Sequence, residues 1–148
     1  MLLDQDQLAL DDARDTIMEL EQRLRARLDA TLVRGSVRTL IGGTALSRRW
    51  GPFDVIYAMG LFDYLTPPVA RAVLGKLYEL LAPGGTLLLG NFHVSNSSRV
   101  YMEYWMDWVI YHRDELEFFE LASELEDAEV ALTWEETASQ MFLQVKKP

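Results

Sequence analysis

The sequence predicts an α/β fold built on a mostly parallel sheet, and three features carry that prediction. Residues 53–59 (FDVIYAM) form an apolar run rich in β-branched and aromatic residues, which is typical of a strand covered on both faces. Apolar residues at helical spacing follow, and then a second apolar run at 86–90 (TLLLG). Because a helix joins these two strands, the three elements form a parallel βαβ unit. Strands at 131–136 and 140–146, close in sequence, add an antiparallel hairpin.

Before this unit, the strongest pattern is an amphipathic helix over residues 7–28. Its apolar positions recur every three or four residues, at Leu10, Ala13, Ile17, Leu20, Leu24 and Leu28. The same stripe could instead form a coiled-coil seam, although sustained heptads run for three or more repeats. Residues 31–33 form a short strand, and Ser36 can cap a helical turn that ends at Leu40. Residues 42–51 form a loop.

The crossover helix begins at a pair of prolines and ends at a Pro-Gly-Gly turn. Pro67 and Pro68 suit the first turn of a helix, where a proline loses no hydrogen bond. The apolar positions that follow at helical spacing are Val69, Ala72, Val73, Leu77, Leu80 and Leu81. Residues 83–85 (PGG) then end the helix and turn the chain into the second strand.

Two further helices follow the second strand, and the first is dense in aromatic residues. Residues 99–111 place five aromatic side chains around one broad helical face: Tyr101, Tyr104, Trp105, Trp108 and Tyr111. This face could line an acyl pocket, or it could pack in the core or in a subunit interface. The second helix, residues 113–125, places an apolar stripe inward at Leu116, Phe119, Ala122 and Leu125.

Composition narrows the class of protein. The 148 residues include no linker-like stretch, which favours one domain, and 49% hydrophobic residues are ample for a core. No apolar run is long enough to span a membrane, and cysteine is absent, so we expect a cytoplasmic protein without disulfides. The net charge of −9 disfavours a nucleic-acid partner, because such binding needs a positive surface. A small-molecule or lipid substrate is therefore preferred.

The residues of the βαβ unit resemble the second half of a class I S-adenosylmethionine-dependent methyltransferase. In that family, FDVI opens the fourth strand and LxPGGxLLL leads into the fifth, as residues 53–56 and 81–89 do here. The resemblance implies a Rossmann-like sheet in which residues 1–148 supply strands two to seven. Within the superfamily, GLFDYL and the sequence from GNFHVSNSSRVYMEYW resemble the bacterial group that includes the enzyme making 3-hydroxypalmitic acid methyl ester.

The family's first strand and its glycine-rich loop have no counterpart in these residues, and no GxGxG occurs in the chain. The resemblance therefore implies a truncated domain whose second and fourth strands lack their central neighbour. Because unpaired strand edges invite pairing with another chain, we expect a homodimer. It could form by exchange of residues 1–28 between protomers, or the sheet could instead close up so that the second strand pairs with the fourth.

The resemblance also implies cofactor-binding residues for S-adenosylmethionine. Asp4, beside Gln5 at the end of the second strand, corresponds to the acidic residue that accepts the ribose hydroxyls; the alternative is a helix N-cap, for which Asp4 or Asp6 is equally suited. Ser36 and Val37 occupy the adenine-contacting segment, with Ser36 as a plain helix cap the alternative.

The segment after the fourth strand would lie beside the methionine part of the cofactor. Its candidate residues are Met59, Gly60, Phe62 and Tyr64. Gly60 would permit close approach of the backbone, and Phe62 or Tyr64 could shield the sulfonium. The alternative is a loop whose aromatic rings cover the core and whose Asp63 caps the next helix.

Polar residues after the fifth strand are the catalytic and substrate candidates. His93 is the best candidate for a general base or a substrate hydrogen bond, with Asn91 beside it. If the nucleophile is a fatty-acid carboxylate, no base is needed, and both residues would orient it. The substrate candidates are Asn96, Arg99, Tyr101 and Trp105. No metal site is predicted, and the alternative function is a non-catalytic interaction module.

Overall fold

The computed structural model describes residues 1–42 and 50–148, in two compact units, 1–49 and 50–148. Most of the loop predicted at 42–51 lies outside the described residues. The prediction that residues 1–148 form one partial methyltransferase domain stays a prediction.

The first unit contains a two-stranded parallel sheet and two helices. Its elements are β1 (Leu2–Asp4), α1 (Gln7–Leu24), β2 (Leu32–Arg34) and α2 (Val37–Ile41). Leu3 of β1 lies opposite Val33 of β2 in parallel register. Asp6 is the N-cap of α1, because its side chain accepts a hydrogen bond from the Leu8 amide at 2.9 Å. Of the two aspartates that could fill this position, the structure therefore assigns Asp6.

Helix α1 is one turn shorter than its apolar stripe predicts. It ends at Leu24 because Arg25 adopts a left-handed conformation with φ 52°, which stops the helical hydrogen bonding. Leu10 is buried, whereas Leu24 and Leu28 are exposed. The helix predicted through residue 28 is therefore wrong at its end, where an arginine takes the position that glycine usually fills.

The second unit contains a four-stranded sheet in the order β3-β4-β6-β5. Its elements are β3 (Phe53–Ala58), α3 (Pro67–Glu79), β4 (Leu81–Phe92), α4 (Arg99–Trp105), α5 (Glu115–Glu120), β5 (Glu129–Trp134) and β6 (Gln140–Lys146). Strands β3 and β4 are parallel, with Ile56 opposite Leu87, and β6 is antiparallel to both β4 and β5. The predicted βαβ unit and C-terminal hairpin are confirmed. The proposed pairing of the second with the fourth family strand stays a prediction.

One face of this sheet forms the core of the second unit. Its fully buried side chains are Leu87, Leu89, Met141, Leu143 and Val145. Helix α3 contacts β4, and α5 contacts β5 and β6. On the other face, Val55 and Tyr57 of the edge strand β3 are each 65% exposed. The prediction that residues 53–59 are covered on both faces is therefore wrong, because the face that carries Val55 and Tyr57 is exposed to solvent.

Strand β4 begins before the Pro-Gly-Gly turn and carries a bulge there. Phe53 lies opposite Leu81, but Val55 already lies opposite Thr86, so the register shifts between the two pairs. Gly85 sits in this bulge, where an added Cβ would lie 2.8 Å from the Ala82 carbonyl oxygen. Only glycine permits that approach.

The two helices after β4 are shorter than the sequence predicts. Helix α4 ends at Trp105, so Trp108 and Tyr111 lie outside it. Asp114 and Glu117 form a capping box that fixes the start of α5. The residues that face inward from this segment are Phe118, Leu121 and Ala122, which also follow helical spacing. Of the predicted inward positions, Ala122 is buried as expected, whereas Leu116 and Phe119 are exposed, so the predicted face was wrong for these two.

Within the described residues, no helix has the length and apolar character needed to cross a membrane.

Candidate functional site

The carboxyl ends of the parallel strands β3 and β4 lie side by side in the second unit. Ala58, the last residue of β3, pairs with Leu89, and β4 ends shortly after at Phe92. A 3-10 turn over Phe62–Tyr64 follows β3, and the segment 93–98 follows β4. Open α/β sheets bind ligands outside the carboxyl ends of their strands, so these two segments form the candidate site.

Gly60 turns the chain between the end of β3 and the 3-10 turn. Its φ of +79° is one that side-chain-bearing residues rarely adopt, and the nearest atom to an added Cβ would be Asp63 Oδ2 at 3.9 Å. The backbone at Gly60 is therefore both tightly turned and uncrowded. Met59 and Tyr64 are exposed beside it, whereas Phe62 is fully buried and its ring belongs to the core. A ligand at this turn could reach the ring of Tyr64 without any rearrangement.

Asp63 does not cap the following helix, whose N-cap position is Thr66. Its carboxylate is buried, and Oδ1 accepts a hydrogen bond from the Phe92 amide at 2.8 Å. Burial raises the pKa of Asp63 to about 6, although the hydrogen bond from Phe92 and the charge of Arg113 act in the opposite direction. The alternative interpretation of this segment was therefore wrong about the cap and right that Phe62 covers the core.

Asn91 has all its side-chain polar atoms engaged within the chain. Its Nδ2 donates to the carbonyl oxygens of Phe92 at 2.8 Å and Tyr111 at 2.9 Å. Its Oδ1 accepts from Arg113 Nη1, and the residue is fully buried. This arrangement suits a residue that holds segments together. A direct catalytic role for Asn91 stays a prediction, and it would require these bonds to break.

His93 points toward α5 and the hairpin. Its ring packs edge-on against Trp134 at a centroid distance of 4.5 Å. Nδ1 accepts from the Ser95 amide at 3.1 Å and lies 2.6 Å from Ser95 Oγ, while Nε2 faces Glu115 Oε2 at 3.4 Å. Because Nδ1 accepts from an amide, we infer that Nε2 carries the hydrogen and donates it to Glu115. To act as a base, His93 would have to exchange Ser95 for a substrate.

The four predicted substrate residues lie in or just before α4, but their environments differ. Asn96 is buried, and its Oδ1 accepts from the Ser98 amide at 3.0 Å. Arg99 Nε pairs with Glu103 Oε1 at 2.7 Å. Tyr101 and Trp105 are exposed on the outer face of the helix. The structure thus leaves the aromatic pair accessible, while Asn96 serves the turn that starts the helix.

Three further residues shape this site, and sequence reasoning, which placed Trp108 on the aromatic face, did not predict their contacts. Trp108 Nε1 donates to the Tyr64 hydroxyl at 2.7 Å, and its ring meets Phe92 edge-on at 6.0 Å. The pKa of His112 is lowered by burial and by the charge of Arg99, which favours the neutral ring. Arg113 is a buried cation. An arginine and a histidine next to an aromatic run were the available signals, but their burial depends on contacts distant in sequence.

The remaining cofactor candidates lie in the first unit. Asp4 and Gln5 are exposed at the carboxyl end of β1, and Asp4 Oδ1 accepts from the Asp6 amide at 2.9 Å. Ser36 is the N-cap residue of α2, and Val37 is its first residue. Their roles in binding ribose and adenine stay predictions. In the described part of the chain, no group of three or more His, Asp or Glu side chains is placed to hold a metal ion.

Known structures share this fold at low sequence identity. A possible exported protein from Bordetella parapertussis aligns with a TM-score of 0.74 at 14% identity, over 99% of this chain and 52% of that one. Magnesium protoporphyrin IX methyltransferase from Synechocystis PCC 6803, with bound SAH, aligns with a TM-score of 0.68 at 12% identity, over 99% and 62%. An O-methyltransferase family protein from Burkholderia thailandensis aligns with a TM-score of 0.67 at 18% identity, over 93% and 40%.

No protein-family model and no curated protein matches the sequence. The chain spans between two fifths and about three fifths of the length of these three structures. Identities this low show a shared fold. The parallel βαβ unit, the mixed sheet and these alignments together establish that the chain has a Rossmann-like methyltransferase fold.

Proposed function

We propose that this protein is an S-adenosylmethionine-dependent methyltransferase of the cytoplasm that acts on a small molecule or a fatty-acid-like substrate. The observation that carries the proposal is the left-handed, uncrowded Gly60 turn at the carboxyl end of β3, in a fold shared with methyltransferase structures. A turn of this kind lets a ligand approach the backbone closely. The exposed ring of Tyr64 beside it can attract a sulfonium cation.

The residues after β3 fit the methionine part of the cofactor in shape and chemistry. When bound, S-adenosylmethionine supplies an electrophilic methyl group on a sulfonium. Gly60, Met59 and Tyr64 would hold that end, and Asp4, Gln5, Ser36 and Val37 remain the proposed ribose and adenine ligands. The 148 residues contain no GxGxG loop, so we expect weak cofactor affinity for this chain.

The identity of the nucleophile decides what His93 must do. A carboxylate substrate, as in the proposed fatty-acid group, is already ionised at neutral pH and needs orientation alone. A hydroxyl substrate would require a proton acceptor, and the acceptor atom of His93 is Nδ1, which Ser95 now occupies. A carboxylate nucleophile therefore needs no proton acceptor, although its orientation by His93 would require Nε2 to leave Glu115 Oε2, which lies 3.4 Å away.

Calorimetric titration with S-adenosylmethionine tests the proposal, with Gly60→Ala as the diagnostic variant. Alanine at φ +79° is strained by roughly 1 kcal/mol or more, so the turn should shift and binding should weaken. Gly84→Ala is the matched control. Gly84 also has a positive φ, +78°, and open space around an added Cβ, but it lies near the start of β4, away from the candidate site. Absence of heat at millimolar cofactor with the unmodified chain would defeat the proposal.

A second candidate function is a non-catalytic interaction module that forms a homodimer, and two exposed surfaces favour it. The edge strand β3 exposes Val55 and Tyr57, and α4 exposes Tyr104 and Trp105, at 83% and 82%. Exposed apolar patches can mark binding surfaces. Exchange of residues 1–28 between protomers is one proposed route. Light scattering coupled to size exclusion tests association, and a monomer at all concentrations would count against it.

A further inference from the structure

We infer that Arg113 is a positioning residue that holds the turn after β3 and the end of β4 at a fixed spacing. The inference deepens the proposed function, and it rests on that function where it concerns cofactor binding. The two segments that Arg113 joins are the ones that would contact a ligand, residues 60–65 and 91–94.

The guanidinium group joins two elements directly. Arg113 is 3% exposed, and its Nη1 donates both to the Phe62 carbonyl oxygen at 2.8 Å and to Asn91 Oδ1. Its Nη2 donates to the Leu65 carbonyl oxygen. One planar group therefore bonds to both ends of the 3-10 turn and to a side chain of β4.

The backbone around Arg113 strengthens the same connection. The Arg113 amide donates to the Phe92 carbonyl at 3.0 Å, and the Arg113 carbonyl accepts from the Val94 amide at 3.1 Å. Two residues earlier, the Tyr111 amide donates to the Asp63 carbonyl at 2.7 Å. Asp63 in turn accepts from the Phe92 amide through its side chain. Residues 111–113 thus form a strap that is bonded to both segments.

The shape of the arginine side chain suits a positioning role better than its charge does. All three acceptors of the guanidinium are uncharged oxygens, so the buried charge gains less than it would from a direct ion pair. Burial lowers the pKa of Arg113, against the influence of Asp63 and Glu117. A lysine carries the same charge, but it lacks the rigid fork that reaches acceptors on two elements at once. Burial of the Arg113 charge is therefore unfavourable in itself, and the hydrogen bonds that hold the two segments at a fixed spacing offset this cost.

The test compares Arg113→Lys with the unmodified chain by hydrogen exchange and by cofactor titration. We expect amide exchange to speed up by roughly tenfold or more in residues 60–65 and 91–94, because the fork is lost while the charge remains. Exchange in the β5–β6 hairpin should not change. Cofactor affinity should fall on the order of tenfold, since small displacements of binding groups are costly. Arg71→Lys is the control, because Arg71 pairs at the surface with Glu124 at 3.5 Å.

The exchange rates decide whether Arg113 is a positioning residue. Unchanged exchange in both segments would overturn it, and faster exchange throughout the hairpin as well would show a general stabilising role instead. Where Arg113→Lys does not fold, Asn91→Ser shortens the side chain that accepts from Arg113 and also removes the two bonds that Nδ2 donates, and its effect should be confined to the same segments and to residues 111–113. If the unmodified chain binds no cofactor, the proposed function fails, but the exchange pattern still decides the positioning role. Localised exchange with unchanged affinity would overturn the link to cofactor binding.

Discussion

The carboxylate of Asp63 is buried and accepts one backbone hydrogen bond, from the Phe92 amide. Burial raises its pKa from 3.8 to about 6, so the folded state binds the proton more tightly than the unfolded state does. The stabilisation by the protonated Asp63 carboxyl is therefore complete below the pKa that it has in the unfolded state. It is lost as the pH rises through the pKa of the folded state. A shift of this size corresponds to about 3 kcal/mol in total.

Replacing Asp63 with asparagine should remove this pH dependence while keeping an oxygen to accept from Phe92. We expect the unfolding free energy of the wild type, relative to Asp63→Asn, to fall by about 1 kcal/mol between pH 5.2 and 7.5. Urea denaturation at several pH values measures it. The exposed Asp54→Asn is the control, because its carboxylate is not buried. Parallel pH profiles for wild type and Asp63→Asn would contradict the assignment.

Helix α4 shows what periodicity can and cannot specify at the scale of an element. The aromatic spacing correctly indicated a helix that begins at Arg99 but not its end, because α4 stops at Trp105 and leaves Trp108 and Tyr111 outside the predicted face. Spacing also cannot tell whether a helix face meets the core or the solvent. Met102, opposite that face, is the buried residue, while Tyr104 and Trp105 are exposed. The buried face of α4 is therefore narrower than its aromatic residues would suggest.

This orientation can be tested by truncating one residue on each side of α4. Met102→Ala should lower the unfolding free energy by about 2 kcal/mol or more, because it removes buried contacts. Trp105→Ala should change it by about 0.5 kcal/mol or less, since the ring is already in solvent. Chemical denaturation at one pH gives both values. The reverse ranking would mean that the aromatic face is buried.

The elements themselves were largely predictable, whereas the polar network of the site was not. Strands β3 and β4 and helix α3 followed from two apolar runs and from prolines and glycines that act locally. The contacts among Asp63, Asn91 and Arg113 join positions more than twenty residues apart, and local patterns carry no information about them. The stop of α1 at Arg25 was missed for a related reason, because an arginine in the left-handed region has no sequence signature.

At the largest scale, the position of β3 in its sheet bears on assembly. β3 is the end strand of the four-stranded sheet, and Val55, Tyr57 and Met59 are exposed on one of its faces. Natural proteins usually protect such an edge with charge, proline or a covering element. Two copies that pair along β3 would form a symmetric, self-complementary contact, which is the commonest kind in homodimers.

If the proposed homodimer forms through β3, one lysine on that strand should prevent it. Tyr57→Lys places a charge on the exposed face of β3, where two paired copies would bring like charges close together, so we expect a monomer by sedimentation velocity. Tyr104→Lys is the matched control, because it makes the same change at an exposed tyrosine of α4 and should leave the dimer intact. The opposite pattern would place the interface on α4. A wild-type chain that stays monomeric at every concentration would show that neither surface drives self-association.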